Sequence, residues 1–130
     1  MPAAQTDTHP DDGWPIIPFE TPDGLEDWLE ANHDGDTGIW VKFAKKSSGI
    51  KSVTMFEAVE VALCFGWIDA KQQGVDDDWY ILRFQPRRAK SNWSATNKER
   101  VARLTAEGRM RPSGQAQIDA AKADDRWDAN

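Results

Sequence analysis

The sequence has few of the residues that familiar enzyme and metal sites require. It contains one cysteine, Cys64, and two histidines, His9 and His33, neither of which has a cysteine or glutamate at ligand spacing. A zinc site and a serine or cysteine–histidine active site are therefore disfavoured, and we expect no metal and no other cofactor. The glycine-rich motifs G-x-G-x-x-G and G-x-x-x-x-G-K-[S/T] are both missing, which removes the common nucleotide-binding loops.

Targeting and membrane signals are also missing. No stretch approaches the length of a transmembrane helix, and residues 1–15 have no basic start, no apolar run and no cleavage-like site. A lone cysteine cannot pair within the chain, which suits a reducing compartment, so we expect a soluble, cytoplasmic protein. Residues 1–15 are polar and rich in Asp and Pro, which predicts a disordered leader before a single domain over 16–130.

Charge is unevenly distributed along the 130 residues. The net charge of −6 argues against general nucleic-acid binding, yet residues 83–111 contain nine basic residues and only two acidic ones. Such a basic segment can form an anion-binding face, can pack against an acidic surface elsewhere in the chain, or can be a solvated helix surface.

A buried helix is predicted at the centre of the stretch 54–70, TMFEAVEVALCFGWIDA. Thr54 and Glu57 have the spacing of a capping box, and Gly66 suits the left-handed position after a helix. Polar side chains occur between them only at Glu57 and Glu60. A helix that is apolar around most of its circumference has to be enclosed by other elements.

The flanking segments predict strands. Residues 38–45 alternate between two faces, and residues 67–72 and 79–85 read as a hairpin. The order strand, buried helix, strand is that of a βαβ unit if the two strands run parallel. Further helices are predicted over 21–33, 94–107 and 113–123. Together these segments predict an α+β domain with a small sheet of about three strands, a buried central helix and three or so further helices.

The candidate site is the stretch RFQPRRAKSNWSATN, residues 83–97. A helix that begins at Ser94 offers free N–H groups and a positive dipole end, and nearby arginines can bind carboxylate or phosphate with two hydrogen bonds. In the alternative interpretation Ser94 is only a cap, Trp93 is only a core residue, and the arginines pair with surface acids. The candidate ligand-binding residues are Arg83, Arg87, Arg88, Lys90, Ser91, Trp93, Ser94 and Asn97.

Two main classes of function remain. The first is a non-catalytic module that binds a small anionic ligand or an acidic partner surface through these residues. The second is an enzyme acting on an anionic substrate with Asp69 as acid or base, which is less favoured because neighbouring arginines lower the pKa of a carboxyl group. We expect Arg83, Arg87 and Arg88 to converge near Asp69 and the start of the Ser94 helix. Nucleic-acid binding, with Trp93 stacking on a base, is a weaker alternative.

Four segments together are similar to a known family. KFAKKSSG (42–49), EAVEVALCFGWIDA (57–70), RFQPRRAKSNWSATN (83–97) and EGRMRPSGQAQI (107–118) resemble the bacterial YdeI/OmpD-associated, or bacteriocin-protection-like, proteins. The glycine that typically follows GWID in that family is Ala70 here. The resemblance implies a link with envelope stress or resistance to antimicrobial peptides, and it transfers no catalytic residue.

Overall fold

The computed structural model describes residues 7–35, 37–87, 93–124 and Trp127. These residues form four α-helices and one five-stranded mixed sheet. In chain order the elements are β1 (Asp7–Thr8), β2 (Pro15–Pro18), α1 (Pro22–Asn32), β3 (Ile39–Ala44), a 3-10 turn (Lys46–Ser48), α2 (Met55–Cys64), β4 (Trp67–Gly74), β5 (Trp79–Pro86), α3 (Ala95–Ala106) and α4 (Pro112–Ala123). Within the described part of the chain, no helix has the length and apolarity needed to cross a bilayer.

The strand order is β1-β2-β3-β5-β4. Strands β2 and β3 are parallel, whereas β3 and β4 each pair antiparallel with β5. Strands β3 and β4 therefore run parallel to each other, and the predicted strand–helix–strand unit forms with β5 inserted between its strands. The expected number of about three strands is too low. Strands β1 and β2 have two and four residues, and β2 begins and ends with proline, so neither shows a clear alternating pattern.

Residue parity divides the sheet into two faces. Val41 pairs with Leu82, and both belong to the main hydrophobic cluster together with residues from all four helices. Trp40 pairs with Arg83 on the opposite side, because successive side chains of a strand alternate between faces. We call these the core face and the second face. Trp40 and Ile81 are buried on the second face, outside the main cluster.

Helix α2 is enclosed as predicted. Both capping-box bonds are present, with Glu57 N–H donating to Thr54 Oγ1 at 3.2 Å and Thr54 N–H donating to Glu57 Oε1 at 3.0 Å. Seven of its ten residues are buried, from Ala58 to Cys64, so most of its circumference does face protein. Gly66 follows with φ +82°, and a Cβ there would meet the Ser113 carbonyl oxygen at 2.9 Å.

The expected disordered leader over residues 1–15 is wrong for residues 7–15, while residues 1–6 lie outside the described residues. Strand β1 pairs antiparallel with β2, and the chain then crosses the second face of the sheet. His9, placed in the leader by its polar surroundings, is only 3% exposed. The polar composition misled because the segment is held by specific ring stacking and hydrogen bonds, which composition does not reveal.

Helix α2 supplies a matched pair of substitutions. Leu63 is 2% exposed, so Leu63→Ala should cost about 2–5 kcal/mol through lost burial and the cavity left behind. Phe56 lies in the same helix but is 58% exposed, so Phe56→Ala should cost much less. Urea unfolding of both variants measures the difference. Equal losses would show that α2 is not enclosed as described.

Candidate functional site

Arg83 extends from β5 onto the second face of the sheet. Its guanidinium carbon lies 4.2 Å from the centre of the Trp14 ring, and its Nε lies 3.8 Å from Asp12 Oδ2. The Nε is buried and makes no hydrogen bond to any described residue, although the side chain as a whole is 31% exposed. Arg83 is therefore a stacked, partly exposed cation with an acid beside it.

Asp12 is the acid of this arrangement. Its carboxylate accepts hydrogen bonds from the Trp14 backbone N–H at 2.9 Å and from the Trp40 indole N–H at 3.0 Å. Burial alone would raise the pKa of Asp12, but these two hydrogen bonds and the charge of Arg83 outweigh it, so the pKa lies below its ordinary value. Asp12 is thus held as a carboxylate.

His9 completes the contacts of this N-terminal segment. Its ring stacks on Trp40 with centroids 4.2 Å apart and an interplanar angle of 13°. Asp11 N–H donates to Nδ1 at 3.1 Å, which leaves Nε2 to donate to Gln73 Oε1 at 2.9 Å. Both ring nitrogens are therefore used when the imidazole is neutral, with its proton on Nε2.

Arg87 lies beyond the end of β5 and contacts a different tryptophan. Its guanidinium carbon lies 3.8 Å from the centre of the Trp93 ring, and its backbone N–H donates to the Gly66 carbonyl at 3.0 Å. The residue is 5% exposed. Trp93 is also buried and lies against Trp127. Because Ser94 follows directly, the stacked arginine lies beside the start of α3.

The remaining predicted site residues have simpler roles or are not described. Ser94 Oγ accepts the Asn97 N–H at 3.1 Å, and the Asn97 side chain accepts from Arg100 at 3.0 Å. Ser94 is therefore the expected helix cap. Arg88, Lys90 and Ser91 lie outside the described residues.

The expected convergence with Asp69 is wrong. Asp69 is exposed and makes no ion pair with any described residue. Its partner across the ladder is Phe84, one position along from Arg83, so Asp69 shares the parity of the core face whereas Arg83 belongs to the second face. The hairpin itself was predicted correctly. An offset of one residue in its register determines which side chains share a face.

Three arginines of the basic segment are used within the fold. Glu60, 5% exposed in the middle of α2, is paired with Arg103 and with Arg109, the latter at 3.4 Å. Arg111 reaches α1, where it is paired with Glu26 and, at 2.8 Å, with Glu30. Much of the basic segment thus packs against acids elsewhere in the chain. This was one of the three interpretations of its charge that the sequence allowed. A glutamate in an otherwise apolar helix was the signal for such pairing.

A cavity of about 350 Å³ lies between the two ion-pair groups, beside the end of α2. Its lining combines apolar side chains with the paired arginines. The lining residues are Glu26, Val61, Cys64, Phe65, Gly108, Arg109 and Arg111. Burial raises the pKa of the Cys64 thiol, which opposes formation of a thiolate nucleophile.

The described residues define an α+β domain with helices on one face of a mixed sheet and an aromatic, basic surface on the other. The chain belongs to the family described as Domain of unknown function (DUF8412), which matches residues 17–117. No curated protein and no solved structure matches the chain. The resemblance to the YdeI/OmpD-associated proteins stays a prediction from the sequence.

The carboxylate of Asp12 should make stability depend on pH in the acid range. Its pKa in the folded protein lies below the unfolded value of about 3.9, so its contribution is complete well above pH 4 and is lost as the pH falls through the folded pKa. We expect Asp12→Asn to be less stable than the parent at pH 7, with a difference that shrinks below about pH 4. Urea unfolding between pH 7 and pH 2.5 measures this. The control is Asp11→Asn, because the Asp11 side chain is 76% exposed. A stability difference between Asp12→Asn and the parent that does not change with pH would contradict the lowered pKa of Asp12.

The Glu60 ion pairs should respond asymmetrically to substitution. Replacing Arg103 and Arg109 together by Gln leaves a buried carboxylate without these cations, which should cost about 3–5 kcal/mol. Glu60→Gln should cost less, about 1–3 kcal/mol, because the two arginine side chains are 43% and 41% exposed and remain in water. Chemical denaturation compares the variants. A larger loss for Glu60→Gln would contradict this account.

Proposed function

We propose that the chain is a non-catalytic binding module that recognises a small anionic ligand or an acidic partner surface through the end of β5 and the start of α3. The observation that carries this proposal is the stacking of Arg83 and Arg87 on indole rings, at 4.2 and 3.8 Å. The Arg83 side chain, which is 31% exposed, presents a planar guanidinium whose geometry matches carboxylate and phosphate groups. Because its side chain is already ordered, it loses less conformational entropy on binding.

Two further features support an anion as the ligand. Arg83 already lies beside a carboxylate of its own chain, Asp12, which also accepts the Trp40 indole N–H. Helix α3 has no acidic residue in its first turn, and Ser94 at its N-cap is exposed. The positive end of the helix dipole is therefore not neutralised by its own first turn.

The enzymatic alternative, with Asp69 as acid or base on an anionic substrate, has less support. A general base must reach a substrate that the arginines hold. Asp69 has the opposite strand parity to Arg83 and has no described cation paired with it. The geometry therefore favours binding without catalysis.

Nucleic-acid binding has less support still. Base stacking needs an exposed aromatic face, but Trp93 is 1% exposed and is packed between Arg87 and Trp127. The net charge of −6 also opposes association with a polyanion. A role in stress or antimicrobial-peptide resistance rests on the sequence resemblance to the YdeI/OmpD-associated proteins alone.

The binding proposal is tested by a thermal-shift screen of the full chain against inorganic phosphate, nucleotides, dicarboxylates and sugar phosphates. A ligand at a hundred times its Kd should stabilise the native state by about 2.7 kcal/mol. Replacing Arg87 and Arg88 together by Gln should remove this stabilisation, because the Arg87 guanidinium beside the start of α3 is then lost.

The matched control is Lys46→Gln with Lys51→Gln, which removes the same charge from two exposed positions outside the proposed site and should retain most of the response. Circular dichroism establishes that each variant is folded. The proposal is wrong if no anionic compound stabilises the parent, or if both double variants respond equally.

A further inference from the structure

We propose that the second face of the sheet contains a binding site for a flat heteroaromatic ring that carries an acid group, and that the N-terminal segment occupies this site in cis. We define the N-terminal segment as residues 7–14. This inference rests on the proposed function, since it specifies the ligand chemistry and the control of the part of the site that contains Arg83.

The first step concerns the ring. The His9 imidazole lies parallel to the Trp40 indole at 4.2 Å and donates from its edge to Gln73 Oε1 at 2.9 Å. It is 3% exposed. Face stacking combined with one or more edge hydrogen bonds is the manner in which proteins hold planar heterocyclic ligands. Trp40 and Gln73 therefore form a ring subsite that the chain fills with its own side chain.

The second step concerns the acid group. The Asp12 carboxylate accepts the Trp40 indole N–H at 3.0 Å and lies 3.8 Å from Arg83 Nε. Trp40 thus contacts the ring with its face and the carboxylate with its edge. One rigid side chain fixes the relative positions of the two subsites, so a ligand needs its ring and acid group in one molecule at a matching separation.

The third step concerns which part of the chain supplies each half. Trp40, Gln73 and Arg83 lie on β3, β4 and β5, inside the family match over 17–117, whereas His9 and Asp12 precede its first residue. The segment joins the sheet through a ladder of only two residue pairs, and both β1 residues are exposed. Beyond this ladder, the segment is held by the two side chains that fill the subsites and by Trp14, whose ring stacks on Arg83. Such a contact can be exchanged for a ligand that makes the same interactions.

The binding consequence follows from competition. An occupant tethered in cis reduces the apparent affinity of a free ligand to its intrinsic affinity multiplied by the fraction of sites that the occupant leaves open. Removing the His9 ring empties the ring subsite, and removing the Asp12 charge weakens the contact in the acid subsite, without changing Trp40, Gln73 or Arg83. The ligand chemistry is shared by nucleotides and by heteroaromatic carboxylates, which differ in whether phosphate or carboxylate is the acid group.

The experiment uses the full chain and two probes, adenosine monophosphate and imidazole-4-acetate, with binding measured by calorimetry. Adenosine and inorganic phosphate, used separately, show whether ring and acid group must be joined. We expect His9→Ala with Asp12→Asn to bind at least one of the two probes tenfold or more tightly than the parent. Adding Arg83→Gln, or Gln73→Ala, should reduce that gain at least fivefold.

Two results would overturn the inference: a folded double variant that binds neither probe more tightly than the parent, or a gain that survives both added substitutions. If the double variant is unfolded by circular dichroism, His9→Ala alone, which empties the ring subsite and keeps Asp12, is tested by the same criteria. Failure here is distinguishable from failure of the proposed function, because anion stabilisation lost with Arg87 and Arg88 is measured with the N-terminal segment intact.

Discussion

The buried carboxylate of Glu60 is the charge around which the helical part of the molecule is arranged. It lies in the middle of α2, the most enclosed helix, where an unpaired carboxylate would be very costly. Helix α3 and the turn after it must therefore place Arg103 and Arg109 beside it. The chain then continues into α4, with the Arg111 N–H donating to the Cys64 carbonyl at 3.0 Å. Gly114 permits that approach, since a Cβ there would lie 2.2 Å from the same carbonyl oxygen.

The two faces of the sheet are stabilised by different physics. The core face is closed by apolar burial, with side chains from all four helices in one cluster. The second face is covered by a short segment held through ring stacking, indole hydrogen bonds and a carboxylate beside an arginine. Stacking, hydrogen bonds and charge contacts are directional, and a ligand with the same groups can replace them. This difference explains why the proposed recognition chemistry concentrates on the second face and at the adjoining end of β5.

The elements with local signals were predictable from the sequence. The capping box of α2, the left-handed Gly66 and the alternation of β3 are all contained within a few neighbouring residues, and each is present. The predicted order strand–helix–strand is also confirmed, because it depends on the same local patterns. In contrast, the last helix was predicted over 113–123, yet it begins at Pro112, and the Ser113 hydroxyl donates to the Phe65 carbonyl at 2.8 Å.

The site depended on long-range geometry, and there the sequence was less informative. Nothing local to His9 indicates that its ring stacks on Trp40, which is 31 residues away in the chain. Whether Asp69 and Arg83 share a face of the sheet depends on the register of the hairpin, which its polar loop does not determine. The register also shifts between Asp69 and Gln72. The partners of Glu60 come from 43 and 49 residues further on. Composition could indicate that acids and bases pair, but only the fold selects which ones.

The strand order also bears on how the chain is synthesised. Strand β5, which lies between β3 and β4 and pairs with both, is the last strand to be made. Until Pro86 has left the ribosome, β3 lacks its antiparallel partner and β4 has no neighbour in the sheet. A nascent chain of this protein therefore passes through an interval in which the edges of β3 and β4 that later pair with β5 are both unpaired. Completion of a single eight-residue strand closes both of them.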